Sequence, residues 1–81
     1  MFYIYGTERC GFCTRAKELL ESFSIPYTYQ DVTTDQGLID MFKMNGWKTV
    51  PQVFEDDVHI GGFDKLKKYI MEDANEINMD K

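Results

Sequence analysis

Eighty-one residues, 43% of them hydrophobic, suffice for one core and no second, so residues 1–81 read as a single domain. Fourteen acidic against nine basic residues leave a net charge of −5, which argues against a nucleic-acid partner. No apolar run approaches the roughly 18 residues of a membrane span, and MFYIYGTERC has no basic lead into a long apolar stretch, so a soluble cytoplasmic protein with no membrane partner is expected.

Phe2-Tyr3-Ile4-Tyr5 is a short run of strand-forming residues ended by Gly6. From Cys13 onward, Ala16, Leu19, Leu20 and Phe23 fall at helical spacing. Tyr27 to Val32 follows Pro26 and reads as a second strand. Thr33-Thr34-Asp35-Gln36 fits a capping box, with Thr33 as cap and Gln36 reaching back. Leu38, Met41, Phe42 and Met44 then give a second helix that stops near Asn45-Gly46. After Pro51, Gln52 to Glu55 and Val58 to Ile60 read as two strands joined at Asp56-Asp57, and Gly61-Gly62 breaks the pattern. Phe63, Leu66, Ile70, Ala74 and Ile77 mark a third helix. The acidic tail (Glu72, Asp73, Glu76, Asp80) reads as its solvated end.

The order is therefore β-α-β-α-β-β-α, an α/β fold. The first two strands flank a helix and should be parallel through a right-handed crossover. The last two are close enough for a hairpin. A four-stranded mixed sheet flanked by helices is the packing expected.

The chemistry is concentrated in Cys10-Gly11-Phe12-Cys13, between the first strand and the first helix. A bridge between cysteines three apart closes a tiny loop and restrains little of the unfolded chain, so the pair is badly placed as a staple. Cys10 lies at the helix mouth, where unpaired N–H groups and the dipole favour an anion, and the thiolate is the reactive form of cysteine. Arg9 and Arg15 add positive charge nearby. Cys13, one turn on and in line with Ala16 and Leu20, should face the core. Cys10 is thus expected to attack and Cys13 to resolve the mixed disulfide. A structural zinc site is the weaker reading: no second cysteine pair exists, and His59 with a carboxylate would have to complete the ligands. A pair of buried, inert cysteines is disfavoured by Arg9 beside Cys10. His59, between Val58 and Ile60, is expected to point to solvent, and Trp47 to cap the second helix against the core.

Three segments together resemble the glutaredoxin family over nearly the whole chain. Cys10-Gly11-Phe12-Cys13-Thr14-Arg15-Ala16-Lys17 is similar to its C-x-x-C entering the first helix, and Thr49-Val50-Pro51-Gln52-Val53-Phe54 to its T-V-P segment, whose proline is cis. His59-Ile60-Gly61-Gly62-Phe63-Asp64 is similar to its glycine-pair turn before the last helix. In size and in the I-G-G-F-D run, the short dithiol forms of bacteria and large tailed phages are the nearest kind.

The resemblance implies a thioredoxin-like fold and a monomeric thiol–disulfide oxidoreductase with glutathione as reductant and no permanently bound cofactor or metal. Clients would be disulfide-containing proteins, ribonucleotide reductase among those common in the family. It assigns catalysis to Cys10 and Cys13, and glutathione binding to Thr7, Arg9, Phe12, Lys48, Thr49, Val50, Pro51, Gly62, Phe63 and Asp64. Two positions depart from the pattern: Thr7 stands where Lys or Arg is usual, and Lys65 where Asp is common, so Arg9 or Lys48 is expected to meet a glutathione carboxylate. Gly11-Phe12 and Trp47 instead resemble the monothiol branch, which implies an alternative function, a dimeric carrier of a 2Fe–2S cluster ligated with glutathione. Cys13 in place of the serine of that branch, and the absence of its insertion before the motif, argue for the dithiol enzyme.

Overall fold

The computed structural model describes residues 1–79, with side chains described to residue 72. In chain order the elements are β1 (Phe2–Gly6), α1 (Gly11–Ser22), β2 (Tyr27–Asp31), α2 (Gln36–Asn45), β3 (Gln52–Glu55), β4 (Val58–Gly61) and α3 (Phe63–Met79). The four strands form one sheet in the order β2-β1-β3-β4. β1 pairs parallel with β2, Phe2 opposite Tyr27, and antiparallel with β3, Phe2 opposite Glu55. β3 and β4 form the antiparallel hairpin, with a register shift at Val53 and Phe54. The element order, the parallel first pair and the closing hairpin all match the expectation from sequence. No helix among the described residues is long and apolar enough to cross a membrane.

Alternation along β1 decides which face is dry. Phe2, Ile4 and Gly6 are buried, whereas Tyr3 and Tyr5 point the other way and are half-buried. Phe2 and Ile4 pack with Val53 of β3, Ala16 and Leu20 of α1, and Leu66 and Ile70 of α3. Ile4, Leu20, Val53 and Leu66 are wholly inaccessible, so the main core lies between the sheet and the α1–α3 pair. Ala74 and Ile77, expected to extend that helix face, lie beyond the described side chains, as do Asp73 and Glu76; Asp80 lies outside the described residues. Glu72 is exposed.

The opposite face is built from rings. Tyr5 meets Phe54 edge-on at 5.7 Å, Trp47 meets Phe54 at 5.8 Å and Phe42 at 5.2 Å, and Trp47 stacks on His59 at 4.7 Å. Trp47 thus closes α2 against this aromatic face and not against the main core. His59 is exposed as expected, yet its ring is engaged: besides the stack, its Nε2 lies 2.7 Å from Gln52 Oε1.

The start of α2 departs from the expected capping box. Asp35 is the cap, its carboxylate accepting from Leu38 N at 3.2 Å. Thr33 is instead held by Asp31, whose Oδ1 accepts from Thr33 N at 2.8 Å and from its hydroxyl at 2.6 Å. Both Thr33 and Asp35 have cap chemistry; the Asp31 side chain takes Thr33 into its own turn and leaves the cap to Asp35. At the other end Gly46 takes the left-handed conformation (φ 68°), and Trp47 N donates to Phe42 O at 2.9 Å. No residue of α2 is fully buried, although Leu38, Ile39, Met41 and Phe42 are half-buried.

The division between a dry face and a thinly covered one has a measurable counterpart. Leu20→Ala should cost ~2–5 kcal/mol in urea unfolding through the cavity it leaves. Met44→Ala, at a site 86% exposed, should stay within ~0.5 kcal/mol of the parent.

Candidate active site

The chain leaves central strand β1, passes through Thr7-Glu8-Arg9 and enters α1 with Cys10 as its N-cap, in extended conformation (φ −99°, ψ 115°). Here a sulfur takes the place usually held by a Ser or Asp oxygen: Cys10 Sγ accepts from Cys13 N at 3.1 Å. Thr14 N and its hydroxyl both reach Cys10 O, at 3.1 and 3.3 Å, and fix the first turn. Across the site, Cys10 Sγ lies 3.7 Å from Val50 O, and the Val50–Pro51 peptide is cis.

The two thiols are free and unequal. Cys10 is partly exposed and Cys13 wholly buried. Burial, reinforced by the Cys10 sulfur, pushes the Cys13 thiol up to about 11, while hydrogen bonds from the Thr7 backbone and the Tyr29 hydroxyl pull the other way. At neutral pH the inner sulfur is therefore a thiol in reserve, and the outer one is the sulfur a substrate can reach.

Beside Cys10 an open cleft of about 320 Å³ runs between the α1 opening and the α3 opening. Phe12, Thr49, Val50, Pro51, Gly62, Phe63 and Asp64 line it, with Lys65. Three chain segments distant in sequence thus converge on one groove. The Phe12 ring, 52% exposed, sits 6.0 Å from Phe63 with the Arg15 guanidinium 5.3 Å above it. Leu66 N donates to Gly62 O at 3.0 Å, closing the first turn of α3 at the groove's rim. Gly61, at φ 126°, lies close against the Lys65 side-chain stem. Thr7 and Arg9 line a separate depression with Glu8, Asp31, Thr33 and Thr34, and Lys48 precedes the groove wall without lining it.

Reading the sequence missed Gly6, Tyr29 and Gln52. Gly6 passes for a strand terminator, yet a Cβ there would lie 2.6 Å from Cys13 Sγ and 2.6 Å from Tyr29 Oη. A glycine inside a strand, a few residues ahead of the cysteines, is the signal that marks such close approach. Gln52 is the buried polar residue among the described side chains: its Nε2 donates to Thr49 O at 3.1 Å while its Oε1 faces His59. It anchors the wall of the groove, and nothing in a T-V-P-Q run distinguishes it beforehand from a strand residue. Tyr29 sits at an ordinary alternating position of β2 and carries no signal of its own.

The tight contact at Gly6 yields a paired outcome. Gly6→Ala should lose ~1–3 kcal/mol of stability through overpacking against Cys13 and Tyr29. Gly11→Ala, where an added methyl meets nothing within 4 Å, should be neutral or stabilising by up to about 1 kcal/mol, both read by chemical denaturation.

Comparison with known proteins agrees with this geometry. The glutaredoxin family profile matches residues 2–60. Glutaredoxin 3 of Escherichia coli is 42% identical over 66 residues, covering 78% of this chain and 77% of that protein. Reduced Escherichia coli glutaredoxin superposes with a TM-score of 0.74 at 32% identity, covering 91% of this chain and 96% of the other. The buckwheat glutaredoxin–glutathione complex gives 0.73 at 25% identity, covering 96% of this chain and 74% of the other. With its thioredoxin-like sheet, its unequal cysteine pair at a helix mouth and a profile match over most of its length, the chain belongs to the glutaredoxin family of thiol–disulfide oxidoreductases.

Proposed function

We propose that this protein reduces protein disulfides and glutathione mixed disulfides, taking electrons from glutathione. The observation that carries the reading is the inequality of the two sulfurs: Cys10 accessible and capped by an N–H, Cys13 buried directly behind it. With a glutathione mixed disulfide, Cys10 thiolate attacks the glutathione sulfur, and the client leaves as a thiol. A second glutathione thiolate then attacks the Cys10-bound sulfur, giving oxidised glutathione and regenerating Cys10. With a protein disulfide, Cys10 forms a mixed disulfide with the client. Cys13 attacks Cys10, the client leaves fully reduced, and two glutathiones reduce the Cys10–Cys13 bridge.

Glutathione is a short peptide with two carboxylates and an ammonium, and the groove offers partners for each kind of group. The Val50 backbone can pair with its peptide units, as extended ligands pair with exposed strand edges. The free N–H groups opening α3 suit a carboxylate and Asp64 the ammonium, while Lys65 within the groove, or Arg9 or Lys48 from outside it, suits the other carboxylate. The buckwheat relative, solved as a glutathione complex, supports the choice of ligand. A pair of close cysteines with no others suits the reducing cytoplasm.

The roles of the cysteines separate in two assays. Cys10→Ser should abolish both reactions. Cys13→Ser should keep the removal of glutathione from a small mixed disulfide, coupled to glutathione reductase, and lose protein-disulfide reduction by about tenfold or more. Equal losses in both variants would reject the assignment. At the groove, Asp64→Ala should raise the KM for glutathione by about threefold, the scale of one exposed ionic contact. Lys67→Ala, on the same helix outside the groove, should leave it unchanged.

A further inference from the structure

Forming a thiolate at Cys13 is the difficult step of protein-disulfide reduction, because that sulfur is wholly inaccessible and no solvent can stabilise the charge. One side chain lies where it can. The Tyr29 hydroxyl, reaching from the middle of β2, donates to Thr7 O at 2.6 Å and lies beside the Cys13 thiol, whose ionised form it favours. The two groups converge on the space left by the missing Gly6 side chain, 2.6 Å from each. Over the Tyr29 ring, at 4.4 Å from its centroid, stands the Lys17 ammonium, which polarises the ring and makes its hydroxyl a better donor.

We propose that Tyr29 is a further catalytic residue, whose hydroxyl turns its proton from Thr7 O to Cys13 Sγ as the resolving thiolate forms. The inference rests on Cys13 being the resolving thiol. In the resting enzyme the phenol hydrogen is held by Thr7 O. During resolution the Cys13 S–H bond breaks, a Cys13–Cys10 bond forms, and the bond from Cys10 to the client sulfur breaks. The electron pair of that last bond leaves on the client sulfur, which takes up the proton lost from Cys13. Tyr29 neither gains nor loses a proton overall. It reorients, donating to the sulfur only while the sulfur is charged, which is the kind of interaction that lowers a barrier and not merely a ground state. Burial and the neighbouring sulfurs hold the Tyr29 hydroxyl protonated far above the usual phenol range, so it acts as a donor and not as a base. The missing Cβ at position 6 is what lets the phenol and the sulfur come together.

The test compares two reactions of one protein. Glutathione removal from a small mixed disulfide uses Cys10 alone and serves as the internal reference; protein-disulfide reduction also uses Cys13. Tyr29→Phe should lower the ratio of the second rate to the first by about tenfold, the scale of one charge-assisted hydrogen bond lost in the transition state. Tyr27→Phe, whose hydroxyl serves exposed Glu21 instead, should leave the ratio unchanged. In a Cys10→Ser background, Tyr29→Phe should move the pH midpoint of Cys13 alkylation upward by about one unit, the same factor of ten. A ratio and a midpoint that both stay put, or two rates that fall together, would overturn the proposal and leave Tyr29 a packing residue. If Cys13→Ser alone spared protein-disulfide reduction, the resolving role itself would fail, an outcome readable without any Tyr29 variant.

Discussion

A helix that begins at a sulfur atom is the constraint on which this site depends. The first N–H groups of α1 need acceptors, and Cys10 Sγ supplies one by accepting from Cys13 N. The same contact makes the nucleophile part of the backbone's hydrogen bonding and sets the inner cysteine one turn behind it. Neither sulfur can be displaced without disturbing the start of α1, and α1 is itself pinned by Ala16 and Leu20 in the core. The central position of β1, paired on both edges, delivers the chain to that helix mouth from the most constrained part of the sheet.

The groove is held by a second set of contacts on the other side of Cys10. Gln52 reaches back to Thr49 O and forward to His59, so the segment carrying Val50 and Pro51 is tied to the β3–β4 hairpin through a buried amide. A buried amide left unsatisfied would be costly, which gives the loop a defined position without any side chain from the groove itself. The aromatic face thereby serves the site indirectly: Trp47 and Phe54 enclose His59, and His59 faces the amide that holds the loop.

What could be read from the sequence was what depends on local chemistry. The C-x-x-C at a strand-to-helix junction, the periodicity of Ala16 and Leu20, the glycine stop of α2 and the hairpin at Asp56-Asp57 are all short-range signals, and the structure follows them. The capping of α2 was misassigned to Thr33 because Thr33 and Asp35 both have cap chemistry, and the choice is made by Asp31 in the preceding strand. Gly6, Tyr29 and Gln52 escaped for a different reason. Their importance comes from contacts between β1, β2 and α1 or between hairpin and loop, and such pairings exist only after the sheet is assembled. Seven of the ten residues assigned to glutathione by resemblance line one groove, while Thr7, Arg9 and Lys48 stand apart from it.

The chain contains one tryptophan, and its location governs what an optical experiment on this protein observes. Trp47 is stacked on His59 and flanked edge-on by Phe42 and Phe54, on the side of the sheet away from the main core and beyond the Cys10 groove. Intrinsic fluorescence therefore reports the seating of α2 on the aromatic face. Loosening of that helix, which has no fully buried residue, would register as an early change in emission while the α1–α3 core was still intact.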